Sequence, residues 1–145
     1  MTCGVALAYL LAGCQAAPPP LSASSPAPVD TVRSNVAAAL EREGLVVEKT
    51  AGGLRATSDA ERFTKCVPVL VGGSSGSDSS RKMIRVDERS ATAIVRFTSR
   101  DGGTRADWHT SYSGRYYDII RNDHFTKGCE GTGTLEALLT AAVAG

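Results

Sequence analysis

The strongest constraint on this chain is a two-residue rhythm on either side of a tight turn. Ala93, Val95 and Phe97 alternate with Thr92, Ile94, Arg96 and Thr98, and after "RDGGT" at 100–104 Ala106, Trp108, Thr110 and Tyr112 alternate with Arg105, Asp107, His109 and Ser111. Period-two alternation puts one set on a buried face and the other in water. Asp-Gly between two such runs is a hairpin turn. An antiparallel hairpin with one wet face predicts a sheet covered on its other face.

The flanking segments supply the cover. Val29, Val32, Val36 and Leu40 fall at spacings of three and four, with Ala39 beside them, which predicts a helix over 31–43 with Asp30 as N-cap and Gly44 as its stop. "LVVEKT" at 45–50, "AGG" and "LRATSD" at 54–59 predict a hairpin, and Lys82–Asp87 a further short strand. Leu135, Leu138, Leu139, Ala142 and Val143 predict a closing helix after Thr132-Gly133-Thr134. "GGSSGSDSS" at 72–80 has almost nothing to pack and reads as a loop. The expected fold is α+β: a two-layer sandwich of about five mainly antiparallel strands, with N- and C-terminal helices packed on one face.

A length of 145 residues fits one domain. Lys plus Arg total 16 against 15 for Asp plus Glu, a net charge of +1, so no long-range field draws nucleic acid, and no nucleic-acid partner is expected. "VALAYLLA" at 5–12 is apolar for eight residues, well short of the roughly 20 that a spanning helix needs. Its size and position suit a signal-peptide core, although "MTCG" before it lacks the usual basic residue.

Leu11-Ala12-Gly13-Cys14 follows directly and resembles the lipobox of bacterial lipoprotein precursors. The resemblance implies cleavage before Cys14, diacylglycerol on its thiol and often a further acyl chain on its new amino group. Each buried methylene contributes about 0.8 kcal/mol, so two or three chains hold a protein on a bilayer stably. Gln15, where an Asp would resemble an inner-membrane retention signal, implies the outer membrane facing the periplasm. A Gram-positive plasma membrane is the alternative location. "QAAPPPLSASSPAP" at 15–28 is nearly all Ala, Pro and Ser, with no charge and one larger aliphatic, Leu21; it is too poor in apolar surface to offset ordering and reads as a tether. The expected organisation is a signal peptide at 1–13, the lipidated cysteine and tether at 14–28, and one domain at 29–145.

In an exported chain the remaining thiols, Cys66 and Cys129, are expected to form a disulfide. No C-x-x-C or zinc spacing is present, and neither metal nor cofactor is expected. An N-terminal helix, the Gly44–Val47 strand start and two separated cysteines, with "CEGTGTLEALL" at 129–139, resemble small uncharacterised bacterial lipoproteins. The element order is also similar to that of BamC-like lipoproteins of outer-membrane assembly machinery, from which the cysteine pair departs. That likeness bears on fold alone and leaves function open; the lipobox, the Pro/Ala/Ser tether and the lack of a catalytic constellation give the expectation of a non-enzymatic accessory or assembly role with an envelope protein as partner.

"WHTSYSGRYYD" at 108–118 holds the only Trp and three of the four Tyr. Trp108, Tyr112, Arg115, Tyr116 and Tyr117 form either a partner surface or core-edge packing, since aromatics with arginine anchor interfaces and aromatics also fill cores. The histidines are His109 and His124. Asp107 and His109 share the wet face, so a ligand-binding or small hydrolase site with Arg115 is the alternative to a solvated polar face. His124 falls in "RNDHFTKG", which has the composition of a turn. No Ser nucleophile motif or phosphate loop is present, and no catalytic residue is assigned.

Overall fold

The computed structural model describes residues 21–67 and 84–145. The order is β1 (Ser22–Ser25), α1 (Val29–Arg42), β2 (Val46–Thr50), β3 (Gly53–Ser58), β4 (Thr64–Lys65), β5 (Ile84–Arg100), β6 (Gly103–Asp118), β7 (Asp123–Gly128), β8 (Glu130–Gly131) and α2 (Thr134–Ala144). This is an α+β fold: a six-stranded sheet in the order β1-β6-β5-β3-β2 with β7 also on β6, a two-stranded β4-β8 sheet, and two helices. All strand pairs are antiparallel. Cys14 and the 72–80 stretch lie outside the described residues.

The hairpin read from the alternation is longer than the alternation itself. β5 has 17 residues and β6 has 16, paired from Arg100 opposite Gly103 to Ile84 opposite Asp118. The described part of the Lys82–Asp87 candidate, from Ile84 on, and the 92–98 run are therefore one strand. The register shifts between Val86 and Glu88, so Asp87 is the extra residue of a bulge. Ile84 is buried before the bulge and Ala91, Ala93, Val95 and Phe97 after it, a change from even to odd numbering that hides one strand as two.

α1 begins after Pro28, not at Asp30; Asp30 lies in the first turn, where its charge suits the helix dipole, and no side chain caps the end. Gly44, at φ +83°, closes it as expected: its N–H bonds the Glu41 carbonyl and that of Leu45 bonds Leu40, a Schellman stop. Val32, Val36 and Leu40 of α1 and Leu135, Leu139 and Val143 of α2 form one cluster with Leu54, Ala56, Phe63, Ala91, Ala93, Val95, Ala106 and Trp108. Small residues at Ala56, Ala91, Ala93 and Ala106 leave the sheet shallow where larger helix side chains need depth.

Four strands were not anticipated. Ser22–Ser25 of the expected tether form β1, paired with β6 from Ser22 opposite Asp107 to Ser25 opposite Thr104. Backbone pairing is indifferent to side-chain apolarity, which is why composition alone reads this stretch as unordered. "RNDHFTKG" is a turn followed by β7, not loop throughout. β4 and β8, two residues each, bring Thr64–Lys65 beside Glu130–Gly131.

The short sheet holds the disulfide Cys66–Cys129, which spans 63 positions and contributes on the order of 4 kcal/mol in the chain-entropy treatment. The bridge lies against Gly114 of β6: a Cβ there would sit 2.8 Å from Cys66 Sγ and 3.0 Å from Cys129 Sγ. Glycine is required by this close approach. Gly114→Ala is expected to destabilise the oxidised protein by about 1–3 kcal/mol in urea titrations. The cost should shrink when Cys66 and Cys129 are both replaced by serine; an equal cost in both backgrounds would refute the packing argument.

Candidate functional site

Alternation along β6 sorts the aromatic segment into two faces. Trp108, 5 % exposed, and Tyr116, 1 % exposed, point inward and belong to the core, so neither forms part of a partner surface. Tyr116 stacks on Phe125 at 5.3 Å between ring centres and donates its hydroxyl to the Val67 carbonyl at 3.0 Å. Tyr112 also points inward and donates to Glu136 Oε1 at 2.5 Å, where Thr110 Oγ1 donates at 2.7 Å. Gly131 packs close against the Tyr112 ring. Arg115 and Tyr117 are the two members of the expected surface that face water.

Glu136, 2 % exposed, sits in the first turn of α2, where the helix dipole favours a carboxylate, and among the described residues its Oε2 has no hydrogen-bond partner. Burial and then the bond to Glu136 push the Tyr112 phenol well above its ordinary value. Tyr112→Phe is expected to lower stability by about 2 kcal/mol, because it strips a partner from a buried carboxyl. Chemical denaturation of this variant alone and combined with Glu136→Leu tests the coupling: the second change should recover part of the loss.

The outer face does not assemble Asp107, His109 and Arg115. Asp107 binds Arg105 Nε at 3.0 Å, whereas Arg115 reaches Glu88 at 3.6 Å, eight residues or about 26 Å further along β6. His109 is exposed opposite Ile94 on the neighbouring strand.

What the fold does assemble lies at the far end of the hairpin. Arg85, Tyr117 and His124 are cross-strand partners in one row over β5, β6 and β7. The Arg85 guanidinium lies 4.7 Å from the Tyr117 ring centre, and the His124 ring 4.8 Å from it. Asp87, placed by the bulge, takes Arg85 Nε at 2.6 Å and His124 Nε2 at 3.2 Å. Tyr117 donates its hydroxyl to Asn122 in the following turn. The bond from Arg85, followed by that from His124, holds the Asp87 carboxyl below its ordinary value. From sequence His124 reads as a turn residue and Asp87 only as the end of a strand candidate, because their meeting needs both the bulge and β7.

The row offers a cation on an aromatic ring, an imidazole and a carboxylate on an open face, which suits recognition of a polar partner. Among the described residues, no group of three or more His, Cys, Asp or Glu is placed to hold a metal ion. Compared with known protein families, curated proteins and solved structures, the chain matches none.

The stabilisation from a depressed carboxyl is complete above the ordinary carboxylate range and drains away as pH falls through the lower folded-state value. Carboxyl ¹³C NMR titration should therefore place the Asp87 midpoint below that of an unperturbed aspartate. Arg85→Ala should move it upward, and an unmoved midpoint would remove Arg85 as the main cause.

Proposed function

We propose that this chain is an envelope lipoprotein: an α+β domain held by acyl chains on Cys14 at the periplasmic side of the outer membrane, with a non-enzymatic assembly or accessory role. A Gram-positive plasma membrane would place the same anchor on the cell surface. The observation that carries the reading is the closed Cys66–Cys129 bridge in a chain whose Cys14 ends an L-A-G-C sequence. A stable disulfide suits an oxidising compartment, and a lipidated cysteine suits the same export route.

In this reading the domain is a two-layer sandwich with both helices over the alanine-rich face, supported by the single cluster that α1, α2 and the sheet share. That arrangement leaves the opposite sheet face for a protein partner. Arg115, Tyr117, Arg85 and His124 supply its recognition chemistry, with arginine and tyrosine as anchors. β1 begins at Ser22, so the tether between Cys14 and the first described residue, Leu21, spans 21 − 14 = 7 steps, about 22 Å at polyproline extension. The domain then sits close to the bilayer.

Intact mass spectrometry of membrane-extracted protein, before and after reduction, tests the anchor and the compartment together. Loss of residues 1–13 with added acyl mass, and a gain of two hydrogens on reduction, are expected. An unmodified chain beginning at Met1 in the cytosol would end this proposal. For the interaction role, in-cell crosslinking to an envelope protein should weaken in a Tyr117→Ala/Arg115→Ala variant that retains its fold.

A further inference from the structure

The turn between β6 and β7 carries Ile119 and Ile120, 48 % and 70 % exposed, at a position where Gly, Asn and Asp are the usual residues. The display is built into the turn. Asp118, itself buried, accepts the Ile120 N–H at 3.0 Å and the Arg121 N–H at 3.2 Å through Oδ1. Tyr117 bonds Asn122, whose φ of +51° closes the loop. Backbone N–H groups bonded to Asp118, together with the side-chain bond from Tyr117 to Asn122, fix the turn in a shape that turns the two isoleucines outward. Arg121 stands beside them, its Nε 3.8 Å from Asp118 Oδ2 and its side chain still 77 % exposed.

The same end of the sheet faces the incoming chain. β1 runs antiparallel to β6, with Ser25 opposite Thr104 and Ser22 opposite Asp107, and the Leu21 carbonyl accepts the Trp108 N–H. Traced backward, the strand points toward the Asp118 end. We infer that Ile119 and Ile120 are a second membrane contact, inserting into the bilayer interface while Arg121 meets lipid phosphates. For its geometry this rests on the lipid-anchored reading above.

Apolar side chains on a short protrusion with a flanking cation match the interface, whose outer zone is anionic and whose inner zone is hydrocarbon. Reach sets the pose. The seven steps from Cys14 to Leu21 cover at most about 25 Å, whereas Trp108 and Asp118 are separated by about 33 Å of strand. Anchor and turn therefore touch one bilayer only with the strands tilted by about 40° or more from its normal.

The test compares full chains carrying Cys14→Ser, with and without Ile119→Ser/Ile120→Ser, by flotation with phosphatidylethanolamine–phosphatidylglycerol vesicles. The leader is common to both chains, so the ratio reads the turn. Partitioning should fall about tenfold or more in the isoleucine variant, with near-UV circular dichroism unchanged. Amide exchange at 119–121 should slow on adding vesicles to the parent. Equal partitioning, or exchange at the turn indifferent to vesicles, overturns the inference and leaves a protein as the turn's occupant. Acylated Cys14 with an inert turn would sink this inference alone, and an unacylated Cys14 with a partitioning turn would sink only the anchoring reading.

Discussion

The ladder of backbone bonds between β5 and β6 is what the other elements depend on. It runs for sixteen residues of β6, about 50 Å of strand, and β1, β3 and β7 attach to it directly, β2 through β3. β3 pairs its near half on one side, while β1 and β7 share the other edge of β6. Pairing of this length is non-local only at its ends; the Asp101-Gly102 turn brings the first partners together, and the ladder can extend from there.

Such a ladder invites uniformity, and the bulge at Asp87 interrupts it. One extra residue exchanges the faces of β5, so that Ile84 on one side of the bulge and Ala91 on the other both reach the interior. The displaced Asp87 then becomes a ligand for Arg85 and His124. One irregularity thus serves packing and also builds the polar row. The disulfide acts at the same end, on the opposite face, where Gly114 makes room for it and Tyr116 stands over it with its hydroxyl 3.6 Å from Cys129 Sγ. Two faces of one strand segment carry a covalent staple and a polar cluster.

Proximity to a membrane would give these features a common setting. Were the domain anchored through Cys14, a connection of seven residues would orient it as well as hold it, because a short tether restricts the angles it can take. The polar row and the exposed isoleucines lie at the β6–β7 end of the hairpin, whereas β1 pairs near the opposite end of β6 and only its backward direction points toward them. In that setting, a partner recognised through Arg115 and Tyr117 would be met close to the lipid headgroups.

Local chemistry written in the chain determined α1 with its Gly44 stop, α2, both hairpin turns and the inward set from Ala93 to Tyr112, because periodicity and turn residues act within a few positions. The pairing of Cys66 with Cys129 was legible too, through the count of thiols and the expectation of export. Tertiary structure alone decided the rest. β1 has the composition of a linker and is a strand only because β6 offers it an edge. Tyr116 and Tyr117 are adjacent and chemically alike, and only the parity of β6 sends one to the core and the other to water. His124 meets Asp87 across 37 positions through a bulge and a third strand, a meeting set by register, which the order of residues along either strand does not reveal.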